Sequence, residues 1–146
     1  MTIFVDADGC PVVDITIRLA IEHSVECVLV CDTAHVFQRE GARTVTVSKG
    51  ADSVDFALVN MVQPGDIVVT QDYGLAAMCL ARKAVPIRQD GLVFTDGNIE
   101  ALLYERHTAR KIRMGDVRLK GHAKRTAQDD TEFETSLMVL LISEPQ

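Results

Sequence analysis

The chain has 146 residues, of which 47% are apolar and 25% charged, as expected of one soluble globular domain with a single core. No apolar run reaches the roughly 18 residues that a membrane span needs. The segment MTIFVDADGCP has no basic region before an apolar stretch, so we expect a cytoplasmic protein rather than a membrane or secreted one.

Short apolar or alternating segments and segments with helical spacing follow one another along the chain. Strands are predicted at 2–6, 25–31, 43–47, 66–70 and 85–88, and GLVFT at 91–95 is either a strand or part of a hairpin. Helices are predicted from Pro11 to about His23, over 51–62, from Tyr73 to about Lys83, from Asn98 to about Arg113, and after Asp129. The polar segment from Gly115 to Gln128 is interpreted as a loop.

This alternation predicts a three-layer α/β/α fold with a mainly parallel central sheet, in which residues 1–146 form a single domain. Two helix starts carry specific signals. Asn98 is a candidate N-cap, and Asp129 with Glu132 forms a capping-box pattern before the last helix.

Acidic residues cluster where such a fold binds its ligands, beyond the carboxyl ends of the strands. They are Asp6 and Asp8 after the first strand, Asp32 after the second, Asp52 and Asp55 at the helix after the third, and Asp72 after the fourth. Ionised carboxylates that meet at one crevice repel each other, and a hard cation such as Mg²⁺ or Mn²⁺ removes that cost. The pattern therefore predicts a shared metal site.

Most of these acids also have a structural explanation. Asp8 could cap the helix that begins at Pro11, and Asp72 could cap the helix that begins at Tyr73. Asp55, like Asp52, suits the first turn of a helix, where acids complement the helix dipole. Asp6 ends an apolar strand and has no capping task, so it is the strongest functional candidate.

Two chemistries fit the acids. VDADGCP resembles the first motif of the haloacid-dehalogenase phosphatases, in which Asp6 would attack phosphorus and Asp8 would protonate the leaving group. In a PIN-like metal nuclease, by contrast, Asp6, Asp55 and Asp72 would be metal ligands with Asp8 in support, and water would be the nucleophile.

Longer blocks of the sequence resemble the bacterial YaiI/YqxD family. The blocks are VDADGCP, GADSVDFAL, GDIVVTQDYGLAA, GNIEALLYERH and KGHAKRTAQDDTEFETSL, which together span nearly the whole chain. The resemblance implies a bacterial cytosolic protein with a PIN-like fold and supplies no activity. The family commonly has Ala where this chain has Gly9, and Gly-Pro with an aromatic residue where it has Gly121 to Lys124.

Basic residues are concentrated between Arg106 and Arg125, a stretch that contains eight Lys or Arg and a single acidic residue, Asp116. This stretch is either a solvated helix face with a loop or a surface for a phosphate-rich partner such as RNA. The predicted nucleic-acid contacts are Arg106, Arg110, Lys111, Arg113, Lys120, Lys124 and Arg125.

Three further residues have open assignments. Cys10 precedes Pro11 at a predicted helix start, where a thiolate would be favoured, or it is simply a buried small residue. The other cysteines, like Cys10, are predicted to be free thiols. Thr70 and Gln71 either bind a phosphate or a water molecule or merely end a strand.

The leading hypothesis is a PIN-like, Mg²⁺- or Mn²⁺-dependent nuclease or phosphodiesterase acting on RNA or another nucleic acid. Its catalytic residues and metal ligands would be the candidate acids Asp6, Asp8, Asp55 and Asp72. The alternatives are a phosphomonoesterase that uses Asp6 covalently and a non-catalytic binding module.

Overall fold

The computed structural model describes residues 1–32, 38–48, 53–114 and 124–143, with only the backbone described for Ser53 and for 107–114. The strands are β1 (Thr2–Asp6), β2 (Glu26–Asp32), β3 (Arg43–Val47), β4 (Ile67–Val69) and β5 (Val85–Ile87). The helices are α1 (Val13–Glu22), α2 (Ser53–Met61), α3 (Tyr73–Ala81), α4 (Ile99–Met114) and α5 (Ala127–Ile142).

The five strands form one sheet in the order β3-β2-β1-β4-β5, and all four strand pairings are parallel. β1 is therefore central, with β2 on one side and β4 on the other. The strand order reverses between β1 and β4, which is the point at which open parallel sheets bind their ligands. The residues that follow β1 and β4 flank this switch point.

Helices cover both faces of the sheet, which confirms the predicted three-layer α/β/α architecture. On one face α1 and α5 bury their apolar side chains against β1 and β2, with Phe133 and Leu137 fully inaccessible. On the other face Leu58 of α2 and Leu75 of α3 pack against Phe4 and its neighbours. α4 lies outside this face and packs on α3 through a small cluster around Phe94 and Ile99.

The observed elements follow the predicted ones closely, and β3 has the predicted limits. The segment 91–95 is part of a hairpin rather than a named strand: Val93 forms an isolated antiparallel bridge with Ile87, and the backbone N–H of Phe94 donates to Pro86 O at 2.9 Å. Part of the predicted loop, 115–123, lies outside the described residues. None of the helices in the described ranges combines the length and apolar character needed to cross a membrane.

The hydrogen bonds at the two predicted helix starts differ from the predicted ones. The amide oxygen of Asn98 accepts from the backbone N–H of Thr95, and Thr95 Oγ1 accepts from the backbone N–H of Asn98. The side chain of Asn98 thus bonds to a residue before it in the chain and not to the first turn of α4. At α5 the capping box is formed by Thr126 and Asp129 rather than by Asp129 and Glu132. α4 nevertheless begins at Ile99, directly after Asn98, whereas α5 begins at Ala127, before the predicted cap Asp129.

Candidate active site

The candidate site lies at the carboxyl ends of β1 and β4. Asp6 is the last residue of β1 and is half-buried. Thr70 directly follows β4, is fully buried, and donates its backbone N–H to Ile87 O at 3.1 Å. Because β1 and β4 are parallel neighbours, the two side chains emerge side by side at the switch point of the sheet.

Thr70 connects two of the candidate acids. Its hydroxyl donates to Oδ2 of Asp6 at 3.0 Å and accepts from the backbone N–H of Asp72, also at 3.0 Å. Since the N–H of Asp72 can only donate, the single hydroxyl proton of Thr70 is committed to Asp6. Thr70 was predicted either to bind a ligand or to end a strand, and the structure shows that it directly follows β4 and that its hydrogen bond orients Asp6.

Asp6 is a candidate acid whose pKa is clearly shifted from its ordinary value. Burial raises the pKa of Asp6 from 3.8 to about 6, the Thr70 hydrogen bond opposes the rise, and the charges of Asp72 and Asp8 add to it. The charges of two neighbouring carboxylates thus both act on Asp6. Charge crowding of this kind is typical of sites that bind cations or transfer protons.

Asp8 does not cap α1, contrary to the structural alternative considered for it. Oδ2 of Asp8 accepts from the backbone N–H of Asp32 at 3.2 Å, which links the end of β1 to the end of β2. The N-cap position of α1 is Val12, which makes no side-chain capping hydrogen bond. Asp8 therefore stays at the carboxyl end of the sheet, beside Asp6.

Asp72 is the N-cap of α3, which confirms its predicted structural role. Its Oδ1 accepts from the backbone N–H of Leu75 at 3.0 Å, and its side chain is exposed. This capping bond involves one carboxylate oxygen and fixes the orientation of the other. Asp72 thus has a structural task and also contributes negative charge to the surroundings of Asp6.

Asp55 approaches the site from α2. It lies in the first turn of that helix and is half-buried. The charges of Asp55 and Asp6 both act on the buried thiol of Cys79 in α3, whose pKa is raised to about 12 chiefly by burial. Asp55 and Asp6 therefore lie around the same part of α3, whereas Asp52 lies outside the described residues.

The acids do not form a compact cage. Among the described residues, no three His, Cys, Asp or Glu side chains are grouped closely enough to hold a metal ion between them. Their oxygen donors are nevertheless the type that Mg²⁺ and Mn²⁺ prefer. Mg²⁺ is commonly bound by one or two carboxylates and completed by water and substrate phosphate, and such a site needs no cage.

Cys10 is not an activated thiolate. The pKa of the Cys10 thiol is raised to about 11, chiefly by burial and also by the charge of Asp6. A hydrogen bond from the Val12 backbone, the charge of Arg125 and a hydrogen bond with Gln89 oppose the rise. The thiol therefore stays protonated at neutral pH, which argues against the nucleophilic role considered for it. All four cysteines are free, as predicted.

The predicted basic contacts fall into three groups. Arg106 and Lys124 are exposed, and Arg125 is partly buried, where it donates to Gln89 O at 2.8 Å and pairs with Asp130 at 2.7 Å. For Arg110, Lys111 and Arg113 the structure gives the helical backbone of α4 only. Lys120 lies outside the described residues.

A polar cluster beside Asp72 was not predicted from the sequence. Arg88 pairs with Asp90 through two contacts of 2.7 Å and donates to the hydroxyl oxygen of Tyr73, also at 2.7 Å. The guanidinium carbon of Arg106 lies 5.4 Å from the centroid of the Tyr73 ring. The one signal in the sequence is that Tyr73 directly follows a candidate acid.

Comparisons with known proteins agree with the resemblance found in the sequence. A family model described as "Uncharacterized BCR, YaiI/YqxD family" matches residues 4–143. The chain is 58% identical over 141 residues to a UPF0178 protein of Exiguobacterium sibiricum, covering 97% of this chain and 96% of the relative. It is 48% identical to a UPF0178 protein of Lachnoclostridium phytofermentans, with 98% of each chain covered. No solved structure matches the chain.

Proposed function

Because the chain belongs to the YaiI/YqxD family of uncharacterised bacterial proteins, which carries no assigned reaction, we propose an activity from the site itself. The protein is a divalent-metal-dependent phosphodiesterase that cleaves RNA or another nucleic acid. Its working residues are the candidate acids Asp6, Asp8, Asp55 and Asp72 at the switch point between β1 and β4.

One observation carries this proposal, namely the crowding of carboxylates around Asp6. Burial and the charges of Asp72 and Asp8 raise the pKa of Asp6 to about 6, against the opposing effect of the Thr70 hydrogen bond. Burying a carboxylate that has other negative charges nearby is unfavourable unless a cation or a proton compensates its charge. At neutral pH a divalent cation is the better compensation, because it neutralises two carboxylates at once.

Asp6 and Asp72 are the acids best suited to hold such a cation together. Thr70 binds Oδ2 of Asp6 and Leu75 N–H binds Oδ1 of Asp72, so the same local network orients both carboxylates. Asp8 and Asp55 would contribute further oxygen ligands or bind water molecules around the cation. A bound Mg²⁺ or Mn²⁺ would polarise a phosphoryl oxygen and lower the pKa of a coordinated water.

The chain's own residues then have distinct tasks. Thr70 keeps Asp6 in one orientation, and the hydrogen bond that it donates stabilises the ionised carboxylate. Asp8 is oriented by the backbone of Asp32 and can accept a proton from a water molecule that approaches phosphorus. Exposed cations such as Arg106 and Lys124 attract the phosphate backbone of the substrate.

The test begins with a calorimetric titration of metal-stripped protein with Mn²⁺. Asp6→Asn keeps an acceptor for the Thr70 hydroxyl, and Asp72→Asn keeps a good N-cap, so both remove charge with little disturbance of the fold. Asp14→Asn is the matched control, because the Asp14 side chain is 88% exposed on α1. We expect the wild type and the control to bind Mn²⁺ and the other two variants to lose binding.

Substrate assays then separate the candidate reactions. With Mn²⁺ present, the wild type should cleave a labelled single-stranded RNA and a simple phosphodiester, and both substitutions should lower the rate by about two orders of magnitude. Hydrolysis of phosphomonoesters alone would favour covalent chemistry at Asp6. Absence of both metal binding and hydrolysis would contradict the proposal and favour a non-catalytic binding module.

A further inference from the structure

We propose that Tyr73 and Arg106 form a stacking position for one unpaired base of a nucleic-acid strand bound at the candidate acids. The inference rests on the proposed function and specifies the form of its substrate, a single strand with accessible bases. It follows from the geometry around Tyr73, which begins α3 immediately after Asp72.

The Tyr73 ring is held in place from two directions. Phe94 makes an edge contact with it, with ring centroids 5.4 Å apart and planes inclined by 65°. Its hydroxyl accepts from Arg88, whose guanidinium is in turn held by both carboxylate oxygens of Asp90. A ring fixed in this way loses little further conformational entropy when a ligand stacks beside it.

Arg106 differs from Arg88 in how its charge is compensated. Asp90 neutralises Arg88, whereas Arg106 forms no ion pair with any residue that the structure describes. The guanidinium of Arg106 is exposed on α4 and is held 5.4 Å from the Tyr73 centroid by a cation–π contact. It therefore offers a charged plane, next to an aromatic ring, at the border of the candidate site.

A planar cation beside an aromatic ring suits an unpaired base better than a duplex. Proteins that read single strands stack the bases on aromatic rings or on Arg guanidinium planes, and paired bases are not accessible in this way. The adjoining charge of Arg106 also attracts the strand's phosphates. The base would stack on the outer face of the guanidinium, whose inner face lies on the Tyr73 ring, so Tyr73 and Arg106 are needed together.

The experiment measures binding of the full chain in EDTA, so that the outcome does not depend on metal or cleavage. The probes are a labelled oligodeoxyadenylate of about 12 nucleotides and an abasic strand of the same length, compared by fluorescence anisotropy. Arg106→Lys keeps the charge and removes the plane, and Tyr73→Leu removes the ring. Arg43→Lys is the matched control, at the start of β3 on the far edge of the sheet.

The wild type and Arg43→Lys should bind the base-bearing strand about 5- to 100-fold more tightly than the abasic one. Arg106→Lys and Tyr73→Leu should lose most of this preference, with binding of the abasic strand by Arg106→Lys unchanged. The proposal is overturned if the wild type binds neither strand, if it binds both equally, or if Arg106→Lys keeps the full preference. Failure of metal binding or cleavage alone would overturn the proposed reaction and leave this result unaffected.

Discussion

Thr70 and Asp6 are 64 positions apart in the chain, and a 3.0 Å hydrogen bond from the Thr70 hydroxyl to Oδ2 of Asp6 joins them across the switch point of the sheet. The same hydroxyl accepts from the backbone of Asp72, so its proton can be directed only at Asp6. The protonation state of Asp6 therefore depends on a residue that directly follows a different strand, β4.

Replacing Thr70 by Val should raise the pKa of Asp6 above its value of about 6, because the donated hydrogen bond stabilises the ionised form. Thr70→Ser keeps the hydroxyl and should leave the pKa close to that of the wild type. Side-chain carboxyl NMR titration of the three proteins measures the effect directly. An Asp6 pKa that is equal in the Val and Ser variants would show that the hydrogen bond does not act on the carboxylate.

Asp6→Asn should make the protein more stable at neutral pH. The folded pKa of Asp6, about 6, lies above the ordinary value of 3.8, so the protonated carboxyl stabilises the fold below pH 4 and this stabilisation is lost as the pH rises through 6. An amide carries no charge and escapes this loss. Above pH 7 the gain in the free energy of unfolding should be about 1–3 kcal/mol.

The gain in the free energy of unfolding should depend on pH in a way that identifies the Asp6 charge as its cause. Urea unfolding of both proteins from pH 4 to pH 8 should show a difference that is small at pH 4, grows through pH 6 and then levels off. Saturating Mn²⁺ should reduce the difference, because the proposed cation stabilises only the wild type. A difference that does not change with pH would mean that the charge of Asp6 is not the cause.

Asp66 is a buried acid with a purely structural role at the opposite end of the sheet. Its two carboxylate oxygens accept from the backbone N–H groups of Thr2 and Gln63, each at 2.9 Å, and it is 6% exposed. Asp66→Ala leaves both donors without this acceptor and should lower the free energy of unfolding by about 2–4 kcal/mol.

Thermal unfolding compares this variant with Asp14→Ala, whose side chain is exposed and whose substitution should change stability by at most about 0.5 kcal/mol. Mn²⁺ binding to folded Asp66→Ala should match the wild type, since Asp66 lies at the amino end of β4. Equal stability of the two variants would show that the carboxylate does not hold β1 and β4 together.

The fold was predictable because its strands are short apolar runs and its helices keep a regular spacing. The position of Asp6 at the carboxyl end of β1 was also predictable, since an acid that directly follows a buried apolar run marks the end of that strand. The cap of α5 was not, because Thr126 with Asp129 and Asp129 with Glu132 fit the same pattern equally well. Only the packing of the helix on the sheet decides between them.

The contacts that shape the site join segments that are far apart in the chain. A local sequence pattern therefore does not predict them. The hydroxyl of Thr70 finds Asp6 only because β4 is inserted next to β1 in the sheet. The Arg88 contact with Tyr73 likewise depends on how the residues after β5 pack against α3. The sequence indicated the candidate acids. The order of the strands determines which polar residues hydrogen-bond to these acids and orient them.

Arg125 and Lys124 are neighbours in the chain with different expected roles. The guanidinium of Arg125 donates to Gln89 O at 2.8 Å and pairs with Asp130 at 2.7 Å, which fixes the start of α5 to the segment after β5. Lys124 is exposed. Arg125→Ala should therefore lower stability by about 1–3 kcal/mol, while Lys124→Ala should leave it unchanged.

In nucleic-acid binding we expect the opposite pattern: substitution of Lys124 should change binding, and substitution of Arg125 should not. If Lys124 contacts a phosphate, Lys124→Ala should reduce the slope of log affinity against log salt by about 1 for a single-stranded RNA. Arg125→Lys, which keeps the charge but not the two-sided contact, should leave that slope unchanged and still lose stability. A normal stability for Arg125→Lys together with a reduced slope would instead assign Arg125 to the phosphate backbone.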